Sequence, residues 1–308
     1  MTAEQTRGDA GAVPEGRFTR EKLVDVLRRV CAGIGLDHRG ARLLRFTNNA
    51  VFVLDGESVV VRIVGSRGLR HRAGNMVAVA RHLERHGVPA VRLLPGVVQP
   101  LRVGEHVATV WRYVEPAARS AGAADLARLL RRLHALPVPV GVAEWAPLMD
   151  VRTRIGDAEE LAPEDRRFLL RRCAEAEAAL GELEFPLPRA LIHGDAHPGN
   201  VIVGPDGPVL CDFDSSCLGP PEWDLTPLAV GRERFGDPAG RYRMLADVYG
   251  FDVTAWEGFA VLRTVRELKL ATSVLPILRS HPGVRAELRR RLDDLRSGRT
   301  TRPWIRYR

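Results

Sequence analysis

The sequence predicts an α+β protein of two lobes, a small antiparallel sheet followed by a mainly helical region, and three observations carry that prediction. Residues 50–64 read as a β-hairpin, with Ala50-Val-Phe-Val-Leu54 and Val59–Val64 around the turn residues Asp55-Gly56-Glu57. After Glu115-Pro116 the apolar spacing changes from alternating to helical. Inside the helical region, Gly204-Pro-Asp-Gly207 stands between two short apolar runs and marks a second hairpin.

Taken in order, residues 1–17 are rich in Gly, Ala, Glu and Thr, lack periodicity and read as a disordered tail. A helix is expected from a Thr19 cap to about Gly33, with Phe18 and Leu23 as a hydrophobic staple. The polar segment Phe46-Thr47-Asn48-Asn49 leads into the first hairpin. Met76, Val79, Ala80 and Leu83 fall at helical spacing over 76–86, and strands are expected over about 91–99 and 106–114. Helices follow over 123–136 and 163–183, the second opening on Pro163, whose missing N–H suits a first turn. Glu222 to about Arg296 reads as helices separated by Gly and Pro. The lobes are therefore expected to be 18–113 and 114–308, with no internal repeat.

With 308 residues, 45% apolar and 27% charged, the chain has the composition of an ordinary globular protein. The net charge of +8 suits a phosphate-rich partner, but does not choose among nucleic acid, a membrane surface and a nucleotide. Lys22 and Lys269 are the only lysines among 46 basic residues. Arg289, Arg290, Arg291 and Arg296 read as a solvated helix face, and without interleaved aromatics they do not make nucleic acid the expected partner. Cys31, Cys173, Cys211 and Cys217 show no metal or disulfide spacing and are expected to be reduced thiols in a cytoplasmic protein. No apolar run is long enough to span a bilayer.

The chemistry lies in Leu191-Ile-His-Gly-Asp-Ala-His-Pro-Gly-Asn-Val-Ile-Val-Gly-Pro-Asp-Gly-Pro-Val-Leu-Cys-Asp-Phe-Asp214. A hairpin centred near Asp206 sets Asn200 opposite Asp212. An amide oxygen beside a carboxylate is a hard-oxygen pair of the kind magnesium shares with phosphates. Asp195, upstream in the same loop, is placed to meet a hydroxyl directed at that phosphate. Phosphoryl transfer needs positioning, charge neutralisation and a carboxylate to orient the hydroxyl, and these residues fill those roles.

His193-Gly-Asp195, Asn200 and Asp212-Phe-Asp214 together resemble the aminoglycoside phosphotransferase and choline kinase-like family, and parallel the protein-kinase catalytic and metal motifs. Leu129-Leu-Arg-Arg-Leu-His-Ala-Leu136 and Gly219-Pro-Pro-Glu-Trp-Asp-Leu225 look like the flanking family motifs. The resemblance implies a protein-kinase-like fold with ATP and Mg2+. It implies Asp195 as catalytic base, Asn200 and Asp212 as metal ligands, Asn48 and Asn49 over the phosphates, and adenine against Tyr113 and Val114. Asp224 would tie down the catalytic loop, and His193 reads as a structural histidine.

The usual strand lysine is replaced by Arg62, and no acidic residue lies between Ser66 and Leu83 to pair with it; the expected position falls near Met76. Asp214 and His197 are candidate substrate contacts, as are Trp256, Glu257, Arg263 and Glu267 by their place in the C-terminal helices. Arg263 and Glu267, four apart, can also pair on a helix surface. The expected function is a kinase acting on a hydroxyl of an antibiotic or metabolite; the alternative is a catalytically silent nucleotide-binding protein. A basic protein gives no support to a polycationic acceptor.

Overall fold

The computed structural model describes residues 20–46, 49–64, 70, 72–278 and 281–307. The tail expected over 1–17, the Thr19 cap with its Phe18 staple, and Asn48 lie outside the described residues. The chain divides into two compact units, one formed by residues up to Val77 with Leu93–Tyr113, the other by Ala78–Arg92 and Val114 onwards.

The first unit contains helix α1 (Arg20–Ile34) and strands β1 (Arg42–Phe46), β2 (Asn49–Leu54), β3 (Val59–Val64), β4 (Leu101–Val103) and β5 (His106–Arg112). The strands form one antiparallel sheet in the order β1-β2-β3-β5-β4. In β2 and β3, Ala50 pairs with Ile63 and Phe52 with Val61. Alternation puts Ala50, Phe52, Leu54, Val59, Val61 and Ile63 on one face. They share a core with Leu23, Val26, Leu27, Val30 and Cys31, the apolar stripe of α1. A slip of one residue would expose that face, at about 1.5–3 kcal/mol for each large side chain, so burial sets the register.

Residues 91–99 do not form the expected strand; a single bridge joins Leu93 to Trp111. Pro95 and Pro100 cannot donate to a ladder. The Gln99 side chain substitutes for one, its Nε2 donating to Val110 O at 2.9 Å and its Oε1 accepting from Val110 N at 2.7 Å.

Helix α2 (Arg72–Arg85) begins in the first unit and ends in the second. The second unit continues with α3 (Ala123–His134), α4 (Met149–Asp157), α5 (Pro163–Gly181), α6 (Glu222–Phe235), α7 (Ala239–Tyr249), α8 (Phe259–Thr272) and α9 (Arg285–Ser297). Its core includes Leu126, Leu130 and Leu133 of α3, Ile155 of α4, Leu169 and Cys173 of α5, and Leu262, Val265 and Leu268 of α8. Two short antiparallel pairs interrupt the helices: β6 (Ala190–Ile192) with β9 (Cys217–Gly219), and β7 (Val201–Gly204) with β8 (Gly207–Leu210).

The C-terminal arginines do not make one solvated face. Arg291 is 1% exposed, pairs with Glu287 at 3.0 Å and lies over the Tyr307 ring at 3.8 Å. Arg296 pairs with Asp165 and covers Phe168. Trp304 is folded back, its backbone N donating to Arg234 O at 2.5 Å and its indole N–H to Asp294 Oδ2 at 2.9 Å. No disulfide joins any of the four cysteines, and among the described residues no helix is long and apolar enough to cross a membrane.

Candidate active site

Two small ladders of the second unit present the predicted chemistry. Pairing of β6 with β9 brings the start of His193-Gly194-Asp195 beside the segment that follows Asp212, with Ile192 opposite Cys217. The second hairpin turns on the two residues Pro205 and Asp206, closed by Gly204 opposite Gly207. That register puts Asn200 against Cys211, whose N–H donates to Asn200 O at 3.0 Å, and corrects the expected Asn200–Asp212 pairing by one residue. The turn has an even number of residues, so its centre falls half a residue before Asp206. Asp212 lies one step beyond the ladder in the left-handed region, φ 65° and ψ 68°, which residues other than glycine seldom adopt and which ends the strand there.

The loop is held by its backbone. Asp224, in the first turn of α6 and fully buried, accepts from His193 N at 2.6 Å and Gly194 N at 2.7 Å. The carbonyls of the same residues accept from Ser216 Oγ at 3.2 Å and Trp223 Nε1 at 2.9 Å. His134 of α3 donates from Nε2 to Asp224 Oδ2 at 3.1 Å, leaving its Nδ1 to accept from Tyr249 O–H at 2.8 Å. His193 acts as the structural histidine expected: Nδ1 accepts from Asp195 N at 3.4 Å, so Nε2 is the nitrogen that donates to Cys211 O at 2.9 Å. Gly194 has φ +80°, and a Cβ there would sit 2.0 Å from Ser215 O, so no other residue fits without moving the loop.

Asn200 donates from Nδ2 to Asp195 O at 2.9 Å, which turns Oδ1 the other way; among the described residues no donor meets that oxygen. Asn200 Oδ1 and the Asp212 carboxylate are hard-oxygen donors from neighbouring positions of the hairpin, and their chemistry would suit a magnesium ion that also takes phosphate and water oxygens. Among the described residues no group of three His, Cys, Asp or Glu side chains forms a metal cage.

The Asp195 carboxylate is about one-third exposed and ion-paired with Arg266 Nη1 at 2.7 Å. Burial alone would raise its pKa; the charges of Arg266, Lys269 and His197 outweigh burial and hold it well below the usual carboxylate range. Burial lowers Lys269, opposed by the Asp195 charge, and also lowers His197. His197 caps the short turn Pro198–Asn200, its Nδ1 accepting from Gly199 N at 3.1 Å.

Other predicted residues fall elsewhere. Glu267 is buried and pairs with Arg234 at 2.6 Å, and Arg263 pairs with Glu233 at 3.4 Å, so the two do not make the mutual pair expected of them. Trp256 packs on Phe185 at 5.4 Å, Glu257 is exposed, and Asp214 is half-buried in the turn Phe213–Ser215. In the first unit, Arg62 is buried and donates from Nη1 to Met76 Sδ at 3.1 Å, so a thioether occupies the position of the absent glutamate. Asn49 opens β2 opposite Val64, and Tyr113 N donates to Ser58 O at 2.8 Å. Val114 packs on Gly204, where an added Cβ would meet its Cγ1 at 2.7 Å. Sequence reasoning missed Arg266 and Lys269. A lysine retained in a chain whose basic residues are otherwise almost all arginine was the available signal.

Residues 42–262 match the family model of the phosphotransferase enzyme family. The chain belongs to that family. A curated relative, the hydroxyurea phosphotransferase of Kitasatospora aureofaciens, is 31% identical over 205 residues, covering 64% of this chain and 52% of the relative. The chain thus spans about half the length of the curated relative it matches. Among solved structures, an amicoumacin kinase in complex with AMP-PNP and Ca2+ aligns with a TM-score of 0.69 at 12% identity, over 93% of this chain and 98% of that one. The choline kinase of Streptococcus pneumoniae aligns with a TM-score of 0.65 at 18% identity, over 90% and 99%. At such identities the likeness is one of fold, and this family member has the protein-kinase-like α+β fold that its motifs implied.

Proposed function

We propose that the protein transfers the γ-phosphoryl group of ATP to a hydroxyl of a small molecule. The observation that carries this reading is the construction around Asp195: its backbone is bonded by Asn200, and Asn200 is laddered to the residue preceding Asp212. Asp195 orients the acceptor hydroxyl and takes its proton as the oxygen bonds to the γ-phosphorus. The bond to the β-phosphate oxygen breaks in the same step, and its electron pair leaves with ADP. Asn200 Oδ1 and the Asp212 carboxylate are the oxygens that would hold magnesium, whose chemistry there is to neutralise phosphate charge. Asp224 positions the loop through its backbone and touches no substrate.

Arg62 supplies the cation for the α- and β-phosphates in place of lysine, with Asn49 toward the phosphates and Tyr113 and Val114 against adenine. A guanidinium can take two phosphate oxygens at once, which compensates in part for losing a lysine oriented by glutamate.

The test is magnesium-dependent ADP release over a panel of hydroxylated acceptors that includes hydroxyurea, after which the relative is named. Asp195→Ala is expected to lower kcat/KM by about 10²-fold or more, the usual contribution of a positioned general base. Nucleotide binding with no transfer to any acceptor, or turnover indifferent to Asp195→Ala, would overturn the reading in favour of a silent nucleotide-binding protein.

A further inference from the structure

If the acceptor hydroxyl faces Asp195, as the proposed function requires, the groups around that carboxylate recognise the acceptor, and they are cationic. Arg266 and Lys269, three apart and so neighbours on one face of α8, both act on Asp195, Arg266 by direct contact at 2.7 Å. Arg154 of α4 reaches the same turn of α8, donating to Lys269 O at 3.5 Å, and Asp150 of α4 is a second carboxylate acting on Lys269.

Both cations have capacity left over. Arg266 uses one nitrogen on Asp195; among the described residues its Nη2 and Nε meet no acceptor. The Lys269 ammonium lies over the Trp223 ring at 5.9 Å and, among the described residues, makes no ion pair and no side-chain hydrogen bond. A half-buried ammonium and an open guanidinium fork have given up hydration without a full set of partners, an arrangement that an incoming anion completes. The ion network behind α8 does not supply it, because Glu267 turns away to Arg234.

We propose that Arg266 and Lys269 form an anion subsite of the acceptor pocket, and that the acceptor is a hydroxy acid whose carboxylate lies within about one helical turn, roughly 5 Å, of the hydroxyl that is phosphorylated. The carboxylate takes the free side of the Arg266 fork and the Lys269 point charge, leaving the hydroxyl at Asp195. The same two charges repel an amino alcohol or an aminoglycoside.

Equilibrium binding of malonate, with malonamide as its neutral isostere, tests the subsite on the full chain without nucleotide. Malonate is expected to bind and malonamide not to. Arg266→Gln or Lys269→Gln is expected to weaken malonate about tenfold or more, the scale of one charge-assisted hydrogen bond. Arg266→Lys keeps the charge and loses the fork, so an intermediate affinity is expected, and thermal melting of each variant identifies any that has not folded. Malonate binding that is undetectable, matched by malonamide, or unchanged in folded variants overturns the proposal. In the turnover assay, D-glycerate and mevalonate are expected to outperform their methyl esters, hydroxyurea, choline and kanamycin; faster transfer to a neutral or cationic acceptor overturns the proposal too. Either failure leaves Asp195-dependent ADP release standing, whereas absence of ADP release with every acceptor sinks the kinase reading and leaves the malonate result to judge the subsite.

Discussion

Removing the Asp224 carboxylate should undo the loop that carries Asp195. Its oxygens accept from His193 N, Gly194 N and His134 Nε2, at 2.6, 2.7 and 3.1 Å. Asp224 and His193 are fully buried and the His134 side chain is 6% exposed, so water cannot take over as acceptor. At roughly 1–3 kcal/mol for each buried donor left unpaired, Asp224→Ala is expected to cost about 3–9 kcal/mol, comparable with a domain's entire stability of roughly 5–15 kcal/mol. Asp224→Asn retains one oxygen. Placed where Oδ2 now lies, that oxygen keeps His193 N and His134 but turns an NH2 toward Gly194 N, for an expected cost of about 2–3 kcal/mol from one orphaned donor and the lost charge. The order wild type, Asn, Ala should appear in guanidinium unfolding followed by tryptophan fluorescence, and amide exchange at residues 193 and 194 should accelerate first. An Asp224→Ala protein within about 0.5 kcal/mol of wild type, a shift ordinary for any surface substitution, with unchanged exchange at those amides would refute the argument.

Three further outcomes follow from the same geometry. Gly194→Ala forces a Cβ to 2.0 Å from Ser215 O at φ +80°, so the loop must shift and turnover should fall by about 10²-fold in the ADP-release assay, the cost of a misplacement near 1 Å. Glu267→Ala removes the 2.6 Å partner of the buried Arg234, leaving Asp294 at 3.9 Å as its nearest carboxylate, and should destabilise by about 3–5 kcal/mol in the same unfolding experiment. Asp125 accepts from Gly122 N at 3.0 Å at the start of α3 and pairs with Arg119; glycine has no side chain to complete a reciprocal cap, and Asp125→Ala should cost about 1 kcal/mol. The Arg119 hydrogen bond lowers the Asp125 pKa in the folded protein, so its contribution is complete above the unfolded value of about 3.9 and is lost as pH falls through the lower folded value; the gap between wild type and Asp125→Ala should close in that acidic window.

Much of the site was legible because its signals are local. Gly204-Pro-Asp-Gly207 encodes a hairpin by turn chemistry, and the spacing of Asp195, Asn200 and Asp212 around it is a property of the chain order alone. Even there, the register moved by one residue, because an even two-residue turn and an odd one are not distinguished by the residues that favour them. The absent glutamate near Met76 was visible too, but the Met76 sulfur as the partner of Arg62 was not, since a thioether carries no polar signature in a sequence.

Sequence by itself determined the fold class, the order of the elements and the residues flanking Asp195, because alternation, helical spacing and turn residues act over a few positions. Tertiary structure decided which face of each helix meets that carboxylate. Successive side chains on a helix diverge by about 100°, so the choice among Arg263, Arg266, Glu267 and Lys269 depends on how α8 is rotated. That rotation is set by burial of Leu262, Val265 and Leu268 in a core shared with distant helices. The same packing turned Glu267 inward to Arg234, set Arg266 against Asp195 and left the Lys269 charge acting on that carboxylate.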